Sequence, residues 1–106
     1  MIIDREIGDR RGEGNALGNL GTAYAALGDA RKAIEFYEQR MVIAREIGDR
    51  RGEGNASYNM GLALYSLKEQ RRAVDLVKQA LKIYEAIESP NAEKARNKLK
   101  EWSALE

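Results

Sequence analysis

Few side chains in this sequence are placed to make or break bonds. Its 17 Asp and Glu would allow a carboxylate pair of the kind that cleaves glycosides. Almost all of them, however, fall on the polar faces of helical patterns, where charge serves solubility. The segments Arg10-Arg11-Gly12-Glu13-Gly14 and Arg50-Arg51-Gly52-Glu53-Gly54 combine glycines with a helix start, as anion-cradling loops do. They lack the Gly-x-x-x-x-Gly-Lys-Ser/Thr arrangement and no strand precedes them. They are expected to be solvated corners between helices, with exposed arginines pairing to Glu13 and Glu53 at little gain in stability. No Ser, Lys or Tyr stands in a nucleophile motif. The absence of His and Cys excludes zinc-type sites, thiol catalysis, disulfides and His-based proton transfer. We expect a non-enzymatic chain with no catalytic residue, cofactor or metal. The residues best suited to recognition are Tyr58, Leu62 and Tyr65, at i, i+4 and i+7, which form an apolar stripe on one helix. Tyrosine offers contact area at low entropy cost together with a hydroxyl. The other role open to Tyr58 and Tyr65 is packing against the next helix of the chain.

The elements that must position these groups follow from composition and periodicity. A length of 106 residues allows one modest domain. One third of the residues are charged, above the usual value of about 25%, and 43% are apolar, which suits a helical protein. A net charge of +1 gives no reason to expect nucleic-acid or membrane partners, and no basic inner face is apparent for a helical-repeat code. No apolar run approaches the ~18 residues of a membrane span, and the first residues lack a signal-peptide core. A cytoplasmic location is the expectation.

An internal repeat dominates the chain. Arg5–Ala16 and Arg45–Ala56 both read REIGDRRGEGNA, an offset of 40 residues. Ile3/Ile43, Asn19/Asn59, Gly21/Gly61, Ala23/Ala63, Leu27/Leu67, Arg31/Arg71, Ala33/Ala73 and Gln39/Gln79 continue in the same phase. Each period holds two helical patterns. Leu17, Leu20, Tyr24 and Leu27 form one core stripe, and Ala33, Ile34, Tyr37, Met41, Ala44 and Ile47 form the other. Gly28-Asp29 and Gly48-Asp49 stop one helix and cap the next. The equivalent Lys68-Glu69 lacks glycine and predicts a less sharply defined turn. Ser89-Pro90 starts a thin amphipathic helix with Ala92, Ala95, Leu99 and Trp102 on its apolar side. The expected elements are a stub over about 2–7 and helices over about 10–27, 30–47, 50–67, 70–88 and 90–104. Gly21 and Gly61 lie in mid-helix at a cost of about 1 kcal/mol each, which close approach of a neighbouring helix would offset, with Ala33 and Ala73 as the matching small residues.

Asn19-Leu20-Gly21-Thr22-Ala23-Tyr24, Gly28-Asp29 and Ala33-Ile34-x-x-Tyr37 together resemble the tetratricopeptide repeat. Asn59-Met60-Gly61-Leu62-Ala63-Leu64 with Ala73 and Val77 carries the likeness into the second copy. The 40-residue period is similar to that of kinesin light chains and spindle-orientation adaptors. The proline usual near the end of the second helix is missing. The resemblance implies an all-α superhelix of antiparallel helix pairs with a C-terminal capping helix. Its parts would be a partial leading helix (1–8), repeat 1 (9–48), repeat 2 (49–88) and the cap (89–106). It also implies non-catalytic binding of a protein or peptide on the concave face. There Asn19 and Asn59 would hydrogen-bond the ligand backbone, with Asn15 and Asn55 one turn earlier, and Tyr58, Leu62 and Tyr65 would be apolar anchors. An amide can serve a peptide N–H and C=O together; the other role open to these asparagines is that of polar residues facing water. Asn59→Ala and Tyr65→Ala would then weaken binding without unfolding. The competing expectation is self-assembly into a homodimer or higher oligomer through the leading residues Ile2, Ile3 and Ile7, or by helix exchange at the repeated corners.

Overall fold

Each corner of the chain is set by a residue that takes the left-handed conformation. Gly28 (φ 85°) and Gly48 (φ 71°) do so without a Cβ penalty. The aspartate that follows then caps the next helix. Asp29 Oδ1 accepts the Lys32 N–H at 3.1 Å, and Asp49 Oδ1 accepts the Gly52 N–H at 3.0 Å. The computed structural model describes the backbone of residues 2–105 and the side chains of residues 9–105. It contains helices α1 (Ile2–Ala26), α2 (Ala30–Ile47), α3 (Arg50–Ser66), α4 (Gln70–Ala86) and α5 (Asn91–Ala104), and no strand among the described residues. Each helix packs on its neighbours in sequence, and α1 also touches α3, in a slab of 52 × 31 × 17 Å.

Two boundaries differ from expectation. The Lys68-Glu69 corner is as sharply built as those with glycine. Lys68 itself adopts φ 66°, and the Glu69 N–H donates to the Leu64 carbonyl at 3.0 Å. The same six-residue closure joins Asp29 to Tyr24, Asp49 to Ala44 and Ser89 to Tyr84. Helix packing on both sides holds Lys68, and Glu88 at φ 55°, in a conformation that costs a side-chain-bearing residue roughly 1–2 kcal/mol. The second difference is at the start. The stub and first helix are one, since α1 runs unbroken through Gly8-Asp9, the dipeptide that turns the chain at Gly48-Asp49. At Gly48 the turn is rewarded by packing α2 on α3. At Gly8 the backbone keeps its helical hydrogen bonds instead. The side chains of Ile2, Ile3 and Ile7 lie outside the described residues.

The core sits between successive helices. Ala33, Tyr37 and Ala44 of α2, Leu64 of α3 and Ala73, Val77, Ala80 and Tyr84 of α4 are buried almost completely. The mid-helix glycines explain the close approach. A Cβ on Gly21 would lie 2.6 Å from the Tyr37 ring, and one on Gly61 would lie 2.7 Å from Val77 Cγ2 and 3.1 Å from the Ala73 carbonyl oxygen. At Gly21 the close neighbour is therefore an aromatic ring, and not the expected alanine. The first-copy stripe is open where the second is closed: Leu20 is 44% exposed and its counterpart Met60 only 5%. Leu27 is exposed as well. Met60 has α2 beside it, whereas no helix among the described residues covers the same side of α1. At the other end α5 closes the stack, burying Ala92, Ala95 and Trp102. Ser89 Oγ accepts the Asn91 N–H at 3.1 Å at its start.

Candidate interaction site

The two halves of the expected site lie on different surfaces. Asn15 and Asn19 are one turn apart on α1, and Asn55 and Asn59 are one turn apart on α3. Spacing of four puts each pair on a single helix face. The two faces meet across a recess of about 390 Å³ floored by α2 through Tyr37 and Arg40. All four asparagines are therefore brought together. Leu20 and Met60, beside them in sequence, contribute nothing to this lining.

Tyr58, Leu62 and Tyr65 are elsewhere, beneath the capping helix. Tyr58 is 5% exposed, and the Lys94 ammonium stands over its ring at 4.6 Å from the centroid. Burial pushes its phenol above the ordinary value; Lys98 opposes that shift and Glu101 adds to it. Tyr65 stacks on Trp102, centroids 4.3 Å apart and planes within 1°, and Leu62 is half-buried against the core. The expectation that these three stand beside the asparagines as open anchors is corrected: α5 uses this stripe. Their first-copy equivalents Gly18, Thr22 and Ala25 are small, and this is why the surface between α1 and α3 stays open while that between α3 and α5 is filled.

Arg40 is the residue of the recess that periodicity does not reveal. It grows from α2, and its side chain passes through a slot left by missing Cβ atoms. A Cβ on Gly52 or Gly14 would press on the Arg40 guanidinium, and one on Gly18 would stand in ordinary contact with Arg40 Cδ at 3.5 Å. These glycines are largely buried and helical, so the Arg-Arg-Gly-Glu-Gly segments are helix turns, not the solvated corners expected of them. At the end of the slot Arg40 Nη2 donates to Asp49 Oδ2 at 3.2 Å and to Asn15 Oδ1 at 3.3 Å. Arg11 also pairs with Asp49, at 3.3 Å. Burial alone would raise the Asp49 carboxyl. The Gly52 N–H, then the hydrogen bond and charge of Arg40, then the charge of Arg11 outweigh it and hold the group below the ordinary carboxylate value.

The second copy solves the same problem with different residues. Ala80 stands where Arg40 would be, and Tyr84 replaces Ala44. The Tyr84 hydroxyl donates to Asn55 Oδ1 at 2.6 Å. Burial, and secondarily the neighbouring Tyr58, push this phenol up to about 12, so its proton stays on at any ordinary pH. Gly54 leaves room for the Tyr84 ring, which a Cβ would meet at 2.9 Å. Thr22 Oγ1 and the Tyr37 hydroxyl share a hydrogen bond of 3.1 Å at the opposite end of the recess. The substitution of Arg40 for alanine between copies was the one sequence signal for this arrangement. Its meaning depends on glycines of two other helices.

The arrangement offers recognition through amides and one buried charge. No group of three metal-ligating side chains occurs among the described residues, and none of their helices is long and apolar enough to cross a membrane. In comparisons with known proteins, a family profile described as tetratricopeptide repeat matches residues 13–86. No curated protein matches the chain.

Proposed function

We propose, because the chain belongs to the tetratricopeptide-repeat family, that it binds an extended peptide segment of a protein partner in the recess between α1 and α3. Repeats of this family generally mediate protein–protein interactions and form a non-catalytic scaffold. The observation that carries the reading is the convergence of Asn15, Asn19, Asn55 and Asn59 on one recess. Two ladders of amides along facing helices suit the alternating N–H and C=O groups of an extended backbone. Tyr58 and Tyr65 act indirectly here, holding α5 against α3.

A peptide selected on the wild-type chain from a displayed random library provides the ligand for the test. Each hydrogen bond lost in Asn19→Ala or Asn59→Ala should cost about 1 kcal/mol, roughly fivefold in affinity. Unchanged calorimetric affinity in both variants, with helicity intact, refutes the reading.

A second reading, self-association, is supported by the exposure of three large apolar side chains, Leu20 on α1, Leu27 in the turn after it and Val42 on α2. Light scattering after size exclusion tests it. A dimer at micromolar concentration that is lost in Leu20→Lys is the expected result, and a monomer at every concentration rejects it.

A further inference from the structure

The same twelve residues fold in two ways within this chain. REIGDRRGEGNA runs as unbroken helix over Arg5–Ala16, inside α1, and as helix, corner and helix over Arg45–Ala56. At the corner Gly48 takes φ 71°, and Asp49 takes φ −84° and ψ 84°, whereas Gly8 and Asp9 stay helical. The local sequence therefore permits both forms, and packing of α3 on α2 accompanies the bent one. That packing does not have to come from the same chain. α2 and α3 lie side by side and are joined by Gly48-Asp49 alone, so they run antiparallel. Straightened as α1 is, residues 30–66 would form one helix roughly 55 Å long at 1.5 Å per residue. Two such helices laid antiparallel set α2 of each copy against α3 of the other. The α2–α3 contacts are then remade between copies, and the two forms differ at the hinges and in the entropy of association. Each hinge gives up the Asp49 N–H bond to the Ala44 carbonyl at 2.8 Å and the Asp49 cap on the Gly52 N–H at 3.0 Å. In return it gains the hydrogen bonds of a continuous helix.

We propose that the chain exchanges helices with a second copy of itself by straightening at Gly48-Asp49, forming a dimer in which α1 and α2 of one copy close on α3, α4 and α5 of the other. The recess then occurs twice, each time with Asn15 and Asn19 from one copy and Asn55 and Asn59 from the other. The exchanged dimer so presents two recesses, and neither is complete without both copies. The exchange requires the corner to open, so it follows unfolding and refolding at high concentration, and dilution of the folded dimer does not reverse it. It is independent of association through the exposed Leu20, which involves no opening of the fold.

The chain has no cysteine, so Arg31→Cys with Ser66→Cys, both at exposed positions, places two spin labels at the start of α2 and the end of α3. Labelled chains are refolded from urea at high concentration with an excess of unlabelled chain. Monomer and dimer are then separated by size exclusion, and double electron–electron resonance reads the distance within one chain. In the monomer the labels stand at the same end of the helix pair; in the exchanged dimer they should be roughly 50 Å apart. Gly48→Ala penalises the left-handed corner and removes a glycine from the straight helix, so over two hinges it should shift the balance towards dimer about a thousandfold or more. Arg50→Pro suits the corner, because Arg50 is the first residue of α3, Asp49 before it is already non-helical, and the lost N–H serves the Gly48 carbonyl. In a continuous helix the same proline breaks a hydrogen bond and clashes with the preceding turn, so this variant should fold and yield no dimer with the long distance. A dimer whose labels keep the monomer distance overturns the exchange and leaves surface association standing. Monomer alone after refolding, in the wild type and in Gly48→Ala alike, overturns it as well, as does a long distance that persists in Arg50→Pro.

Discussion

Truncation of Trp102 to alanine should separate α5 from the rest of the stack. The indole is 6% exposed and lies flat on Tyr65. A tryptophan buries some 150–250 Å², which at about 25 cal/mol per Å² is worth roughly 4–6 kcal/mol. Measured truncations of large aromatics fall at about 3–5 kcal/mol, so about 4 is the expectation. The other wholly buried side chains of α5 are two alanines, Ala92 and Ala95, which give little to replace it. A 14-residue helix released from its neighbours is also too short to persist in water. The loss should therefore be local. Hydrogen exchange followed residue by residue is the assay. Amides of 91–104 should lose about a thousandfold in protection, the equivalent of 4 kcal/mol, while those of α2 and α3 change far less. Newly exposed Tyr58 and Tyr65 should bind a hydrophobic dye. A loss of protection below tenfold in α5 would refute the claim that Trp102 anchors it. An equal loss in every helix would refute the claim that α5 is a separable cap.

Other perturbations follow from particular residues. Gly12 has open space where a Cβ would sit, so Gly12→Ala should stabilise by about 1 kcal/mol, while Gly21→Ala drives a Cβ into the Tyr37 ring and should destabilise by about 1–3 kcal/mol; urea denaturation distinguishes the two. Lys68 sits at φ 66°, and Lys68→Gly should gain about 0.5–1 kcal/mol, the left-handed penalty less the added freedom of the unfolded chain; a lowered denaturation midpoint contradicts this. The Asp49 carboxyl is held below its ordinary value of about 4. Its contribution is then complete above that pH and is lost as pH falls through the lowered native value, so wild-type stability should decline as pH falls below about 4. Asn at position 49 should flatten that part of the profile, and identical profiles would show that Asp49 is not the group responsible.

The helices and three of the four corners were legible because their signals are local. Glycine followed by aspartate stops one helix and caps the next at Gly28-Asp29 and Gly48-Asp49, and Ser89 caps α5, whatever the tertiary surroundings. The same local rule misled at Gly8-Asp9, where α1 runs on unbroken, and at Lys68, where packing imposes a turn on a residue that resists it. The asparagines were singled out for another reason: the resemblance to tetratricopeptide repeats marks Asn19 and Asn59 as groove residues, with Asn15 and Asn55 one turn earlier. Arg40 and Tyr84 were not, since each reaches its asparagine only through space vacated by glycines on helices distant in sequence. The fate of Tyr58, Leu62 and Tyr65 was open for a related reason. An apolar stripe records that something covers it, and only the arrangement of helices shows that the cover is α5.

The central claim is that a partner's backbone lies along the facing amides of α1 and α3. The side-chain NH2 resonances of Asn15, Asn19, Asn55 and Asn59 in a ¹⁵N-labelled chain, titrated with the library-selected peptide, test it most directly. The account predicts that these four signals shift together and saturate with one dissociation constant, while the backbone amides of α5 stay in place. Shifts confined to α5 or to the exposed side of α2 around Val42, with the four amide pairs unmoved, would contradict it.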